Sequence, residues 1–223
     1  MAPSLPSFWE ELWTARLALI NGAIVTVQLS FAVIVIGTGI GVLGGLGLAY
    51  GRWFLRWPIR LAVDLLRGIP VLVLILFTFY GLALFKLRVS PFGAGVAALA
   101  AFCSAHVAES FRGALQSVPA GQGEAAKAIG LTFVQRLVWV ILPQAARRFL
   151  PPWINTTAEI VKGTTLISII GVVELLLATQ QAIARTYMPL QFYAVAFLVY
   201  FTVCFAIAQA GARLERRYAY LRG

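Results

Sequence analysis

Charge-free stretches divide the chain before anything else does. Residues 17–51, 68–85, 89–108 and 186–212 contain no Lys, Arg, Asp or Glu, and residues 163–184 contain only Glu174. A helix crosses the hydrocarbon core of a bilayer with about 20 residues, so each stretch supplies one span. The expected spans are 24–49, 62–85, 91–115, 154–180 and 189–212. Pro58 is expected to open the second. Its β-branched and aromatic run at 71–80 is read as helix, because an open strand leaves backbone groups unpaired in lipid. Gly37, Gly41 and Gly45 recur every four residues in the first span, with Gly39, Gly44 and Gly47 among them. Such spacing lets another backbone approach closely, which predicts a span packed inside a bundle. The plainer alternative is the general glycine enrichment of membrane helices.

Composition agrees. Of 223 residues, 61% are hydrophobic and 12% charged, and the mean hydropathy is +0.87, against about 45–50% apolar and 25% charged in soluble domains. The expected fold class is therefore all-α and polytopic, with about five transmembrane helices. A net charge of +10 invites a nucleic-acid reading, but the basic residues follow the positive-inside rule. Arg52, Arg56, Arg60 and Arg67 border the first loop. Arg112, Lys127, Arg136, Arg147, Arg148 and Lys162 border the third, and Arg213, Arg216, Arg217 and Arg222 occupy the tail. Only Arg16, Lys86, Arg88 and Arg185 fall on the other side, so the N-terminus is expected outside and the C-terminus in the cytoplasm. Membrane lipids, and not nucleic acid, are the expected surroundings. Trp53, Trp57, Trp153, Tyr187 and Tyr218 lie near span ends, where amphipathic rings settle at headgroup level. Glu10 and Glu11 precede the first apolar run without a basic start, so no cleaved signal peptide is expected. Cys103 and Cys204 fall inside spans and are expected to pack as small hydrophobes.

The longest polar interval, at 117–149, reads as two helices. Glu124 to Ile129 are good helix formers, with the acid expected in the first turn after the break at Pro119-Ala120-Gly121, and Gly130 ends that helix. Leu131, Val134, Leu137, Val138 and Ile141 recur at three- and four-residue spacing until Pro143, and Pro151-Pro152 are expected to reset the chain before the fourth span. The residues Glu124-Ala125-Ala126, then Gly130, then Val140, Leu142 and Pro143 resemble the cytoplasmic loop of permease subunits of ATP-binding-cassette (ABC) importers. Val140 stands where that family usually has Ile. Gln144-Ala145, Leu150-Pro151-Pro152 and Arg67-Gly68-Ile69-Pro70 extend the likeness to the polar amino acid uptake branch, the permeases of the histidine, glutamine and arginine type, from Asn21-Gly22 to Leu214-Glu215-Arg216-Arg217.

That resemblance implies an ABC type I importer permease fold: a single domain at 1–223 in the bacterial inner (plasma) membrane, whose coupling loop, at about 117–149, docks on a separate ATPase. Glu124, Ala125, Ala126, Gly130, Leu142 and Pro143 would form the ATPase-coupling surface. It also implies a second copy or paralogous permease, and a periplasmic or lipid-anchored amino-acid-binding protein. No cofactor is expected in this chain, ATP and Mg being expected on the ATPase. The phosphate-binding loop needs Gly-Lys followed by Ser or Thr, and no Gly-Lys pair occurs here. With one His, no metal-ligand cluster and no nucleophile elbow, no enzymatic role is expected. An interfacial helix lying on lipid is the bland reading of residues 124–130.

The substrate-pathway candidates are Glu109, His106, Lys162, Thr164 and Thr165. An ionisable residue at membrane depth is costly and is by default a functional candidate. Glu109 lies in Ala108-Glu109-Ser110-Phe111-Arg112-Gly113, similar to the family's Ala-Glu-x-x-Arg-Gly, and either lines the path or pairs with Arg112 three residues on. Glu174 lacks such a neighbour and is expected to be structural, the alternative being a place along the path. His106 stands where the family commonly has Tyr, and either packs or touches substrate. Lys162 either meets a carboxylate or snorkels. Lys162-Gly163-Thr164-Thr165-Leu166 departs from the family's Lys-Asp-Thr-Ser-Leu, which leaves Glu109 as the expected carboxylate of the path and argues against a strongly cationic cargo. The rival readings are an ion-coupled secondary transporter, for which internal repeats are expected and none is evident, and a non-transporting scaffold or sensor subunit.

Overall fold

The computed structural model describes residues 7–219 and is helical almost throughout. Arg222 lies outside the described residues, as do the side chains of Arg217 and Tyr218. Ser7 caps the first helix, α1 (Phe8–Tyr50), through a capping box with Glu10. The expected first span, 24–49, is thus only the later part of one 43-residue helix. Nothing between Ser7 and Gly51 breaks it, since Gly22 is the only Gly or Pro before Gly37. The early turns of α1 are held by packing. Ala15 and Leu19 lie against Leu175, Ala178, Ala182 and Phe192, and Glu11 pairs with Arg185 at 3.2 Å.

The second expected span is two helices. Trp53–Gly68 (α2) and Val71–Leu84 (α3) meet at a 109° bend. Pro70 drives Ile69 into an extended conformation (φ −92°, ψ 133°), as a residue before proline requires. Pro58 does not open a span; it lies inside α2. Trp53 and Trp57 are exposed on α2, and Tyr187 is exposed as well.

Pro91–Gln116 forms α4, as expected at 91–115. Ser90 caps it, and it touches α1, α2, α3 and the later helix Leu142–Gly163. The glycine ladder of α1 is the groove that receives α4. A Cβ on Gly37 would lie 2.6 Å from Cys103 Cβ, one on Gly41 2.5 Å from Val107 Cβ, and one on Gly45 2.8 Å from the Ala108 carbonyl, whereas Gly39 has nothing within 4 Å. Cys103 is buried in this contact and Cys204 is half-buried; neither forms a disulfide.

Beyond the loop helices α5 (Ala120–Ala128) and α6 (Phe133–Arg136), a π-helical turn (Leu137–Ile141) runs straight into α7 (Leu142–Gly163). Pro143, Pro151 and Pro152 therefore do not interrupt the chain as expected. The wide turn places Leu142 N–H on the Leu137 carbonyl, which lets the helix pass Pro143, a residue with no donor of its own. Trp153 is not an interfacial anchor. It is half-buried in α7 and donates to Thr38 Oγ1 at 2.9 Å.

The fourth span is likewise bent. A 3₁₀ stretch (Thr164–Ile170) and Gly171 (φ +86°) lead to α8 (Leu175–Thr186), with a 53° bend between the two helical stretches. Glu174 is fully buried at this break. Its carboxylate accepts from Leu176 N–H (3.0 Å), Leu177 N–H (2.9 Å) and Tyr200 O–H (2.6 Å). Finally α9 (Pro189–Ala219) crosses against α7, where a Cβ on Gly211 would lie 2.6 Å from Ile154. Among the described residues, three helices (α1, α4 and α9) are long and apolar enough to cross a membrane, and the two bent pairs bring the total to five.

The α1–α4 groove makes a direct prediction. Gly41→Val should lower the detergent-solubilised protein's stability by about 1–3 kcal/mol, the usual range for overpacking, while Gly39→Ala should be nearly neutral. Thermal-shift measurements on the two variants check this; equal melting temperatures would sink the close-approach account.

Candidate coupling surface and translocation path

The loop is built by two local devices. Pro119 precedes α5, and the helix ends at Ile129 in a Schellman arrangement: Gly130 N–H bonds to the Lys127 carbonyl (3.0 Å) and Leu131 N–H to the Ala126 carbonyl (3.1 Å). Gly130 adopts φ +84° there, a conformation that glycine alone takes without strain. Thr132 then opens α6 with a second capping box to Gln135. That Thr-x-x-Gln signature is readable in the sequence, and its significance was missed. Glu124 is not in the first turn, because α5 begins four residues before it.

The geometry gathers the expected coupling residues at one end of the bundle. Ala126 is buried and seats α5 on its own chain, while Glu124, Ala125, Gly130 and Pro143 are exposed and Leu142 is half-buried. Gln144 donates to Gln122 Oε1 at 3.4 Å and to the Val140 carbonyl at 2.9 Å, and Arg148 donates to the Ser117 carbonyl. The Gln122 bond ties α5 to the start of α7, the Ser117 bond ties α7 to the end of α4, and α5 also packs on the π-helical turn that runs into α7. Around it lie exposed Ile129, Phe133, Val134 and Trp139. Exposed apolar side chains beside a structured polar loop suit a protein partner.

Deeper in the bundle, Glu109 does pair with Arg112, and also with Arg60 of α2 at 2.9 Å. Arg60 lies 3.8 Å from Asp64, and Arg112 also reaches Gln116. Both oxygens of Glu109 are thus engaged by guanidinium groups. His106, one turn earlier on α4, is half-buried against Phe102 with ring centroids 4.4 Å apart, and its Nε2 has no hydrogen-bond partner. Lys162 is exposed near the end of α7. Thr164 is fully buried and donates to the Val161 carbonyl at 2.7 Å, and half-buried Thr165 donates to the Lys162 carbonyl at 2.7 Å.

Two charged residues near this region were missed from sequence. Glu159 is exposed on α7, and Arg67 is exposed in the last turn of α2; both lie within electrostatic reach of His106. Glu109 is therefore not the only carboxylate at hand. The available signal was the polar series Asn155, Glu159, Lys162 at four- and three-residue spacing at the start of the fourth expected span.

With this geometry in place, likeness to known proteins decides the family. The chain is 34% identical over 211 residues to the glutamine transport system permease protein GlnP of Escherichia coli (strain K12), covering 94% of this chain and 96% of that one. It is 37% identical over 213 residues to the octopine transport system permease protein OccM of Rhizobium meliloti, covering 92% and 87%. A crystal structure of an amino acid ABC transporter with histidines superposes with a TM-score of 0.87 at 30% identity, covering 95% of this chain and 99% of that one. An inward-facing MetNI methionine ABC transporter shares the fold, with a TM-score of 0.76 at 20% identity over 90% of this chain and 96% of that one. The family model described as binding-protein-dependent transport system inner membrane component fits residues 37–220, and the chain belongs to that family of ABC importer permeases.

Proposed function

We propose that this permease carries a polar amino acid into the cell by alternating access, driven by ATP hydrolysis on a separate subunit. The observation that carries the reading is the attachment of α5 to the start of α7, through Gln122–Gln144 and through its packing on the π-helical turn that runs into α7, beside exposed Ile129 and Trp139. A docked ATPase that moves α5 moves α7 with it. ATP and Mg belong to that ATPase, and this chain performs no hydrolysis. A second copy or a paralogue faces it across the path, and a periplasmic or lipid-anchored binding protein delivers the amino acid. The N-terminus lies outside and the C-terminus in the cytoplasm, in keeping with the distribution of basic residues. An ion-coupled carrier or a scaffold would leave the structured, apolar-rimmed loop without a use.

Gly130→Asp tests the loop. An L-residue at φ +84° costs roughly 1–2 kcal/mol, and the new charge sits where the partner docks. ATP hydrolysis stimulated by the loaded binding protein should fall at least tenfold in the reconstituted complex, with membrane insertion intact. Unchanged stimulation would defeat the docking assignment.

Orientation is checked by cysteine labelling with a membrane-impermeant thiol reagent, in a background lacking Cys103 and Cys204. Cysteines placed at Ser7 and Arg88 should react from the periplasmic side, and one at Gln122 only after the membrane is opened. Reaction of the Gln122 site in sealed cells would invert the model.

Cargo charge follows from the polar groups. Of the two carboxylates near His106, Glu109 is already engaged by guanidinium groups, which leaves Glu159 alone against Arg67 and Lys162. Dipolar and acidic amino acids should therefore be taken up at least tenfold faster than arginine or lysine, because an uncompensated cation away from water costs several kcal/mol. Competition uptake in proteoliposomes decides it, and a clear preference for arginine or lysine is the contrary result.

A further inference from the structure

Several polar side chains that neither the coupling surface nor the Glu109 ion pairs use converge on one side of α4. Asn155, Glu159 and Lys162 of α7 are all exposed, and their spacing places them on one helix face. The helix bearing them forms, with α8, one of the bent membrane-crossing pairs. An ionised side chain presented to lipid tails costs several kcal/mol, so this face borders a water-filled space.

Contacts fix what stands across from it. A Cβ on Gly95 would meet Ile167 at 2.7 Å, and one on Gly163 would lie 3.8 Å from Leu99 Cδ2. The stretch from α7 into the 3₁₀ turn therefore runs antiparallel to α4, each turn along α4 meeting one turn earlier on it. Continued for two more turns, that register brings Glu159 level with Cys103 and Asn155 level with Val107, with His106 at the same depth. Arg67 approaches from the end of α2, where Val63 and Leu66 pack in one cluster with Ala105 and Ala108 of α4, and it and Glu159 both act on the His106 ring through space.

All three groups are unspent. Among the described residues, Arg67 and Glu159 form no ion pair, and His106 Nε2 is shut off from solvent without a hydrogen-bond partner. A cation, an anion and an open imidazole nitrogen, each from a different helix, are the chemical complement of a zwitterion. We infer that Arg67, His106 and Glu159 form the seat for the main-chain head of the transported amino acid. The Arg67 guanidinium receives the α-carboxylate through paired N–H donors, Glu159 accepts from the α-ammonium, and His106 Nε2 adds one hydrogen bond. Asn155 and Lys162, flanking Glu159, then face the cargo's side chain. The assignment rests on the reading of the cargo as an amino acid.

The test uses the whole transporter in proteoliposomes, with its ATPase and its binding protein. A mixture of the twenty standard L-amino acids is supplied outside, and those accumulated are identified by mass spectrometry. Wild-type transporter should accumulate at least one of them; ATP hydrolysis with no accumulation of any would refute the cargo reading and this seat with it. For the accumulated amino acid, Glu159→Gln and Arg67→Gln should each lower uptake at least tenfold. Glu159→Asp and Arg67→Lys should retain more uptake than the neutral variants, and the loaded binding protein should still stimulate hydrolysis in all four. Wild-type uptake by both neutral variants overturns the seat while leaving the cargo reading standing. Loss of uptake and hydrolysis together in fully assembled complexes also overturns it, because that marks a structural role.

Discussion

The close approach of α1 to α4 is the constraint on which the bundle depends. Lipid tails are as apolar as the side chains they meet, so helices in a membrane are held by packing more than by the hydrophobic effect. Packing is tight only where backbones come close. Gly37, Gly41 and Gly45 remove the Cβ atoms that would otherwise strike Cys103, Val107 and the Ala108 carbonyl. Seated in that groove, α4 becomes the post against which α2, α3 and α7 are arranged. Val107 and Leu99 on its buried sides are fully enclosed, while Phe102 and His106 are left half-buried.

A second constraint governs the two bends. Backbone groups freed by a break inside a membrane need partners from the protein, since lipid offers none. At the break before α8, Glu174 supplies them. It accepts from the first N–H groups of the helix and from Tyr200, and Leu175 N–H donates to Thr26 Oγ1 at 3.2 Å. The acid in the middle of an apolar stretch is thus a helix cap that ties α8 to α9, with Thr26 of α1 beside it. The bend at Ile69-Pro70 uses proline for the same end, because the missing N–H leaves one donor fewer to satisfy.

The coupling loop and the polar face share a helix. α5 is fastened to the start of α7, and Glu159 and Lys162 lie toward its end, with no break between Leu142 and Gly163. A displacement at one end of a continuous helix reaches the other as a rigid-body shift. The Arg60–Glu109–Arg112 cluster meanwhile ties α2 to α4, so the Arg67 end of α2 has a fixed neighbour while α7 stands between the loop and the path.

Much of this was legible in the chain because its causes are local. Lipid demands long apolar stretches and helical hydrogen bonding, so membrane residence and the span positions follow from runs of residues alone. The loop helix through Glu124–Ile129 and its stop at Gly130 follow from propensity, although its start at Ala120, inside the expected break, did not. The four-residue glycine spacing announced a packed face. What the sequence left open depended on partners distant along the chain. Whether prolines break a helix was decided by the π-helical turn before Pro143 and by the anchoring of Phe149 and Trp153 on either side of Pro151 and Pro152, and the early turns of α1 by contact with α8 and α9. Glu109 and Glu174 look alike in sequence, each an acid in an apolar run. Only tertiary structure decided that guanidinium groups of α2 and α4 engage one, and that Tyr200 and a helix N-terminus engage the other. Glu159 was left unpaired by the same arrangement, because a charge's role at membrane depth is set by what the folded chain brings within a few ångströms of it.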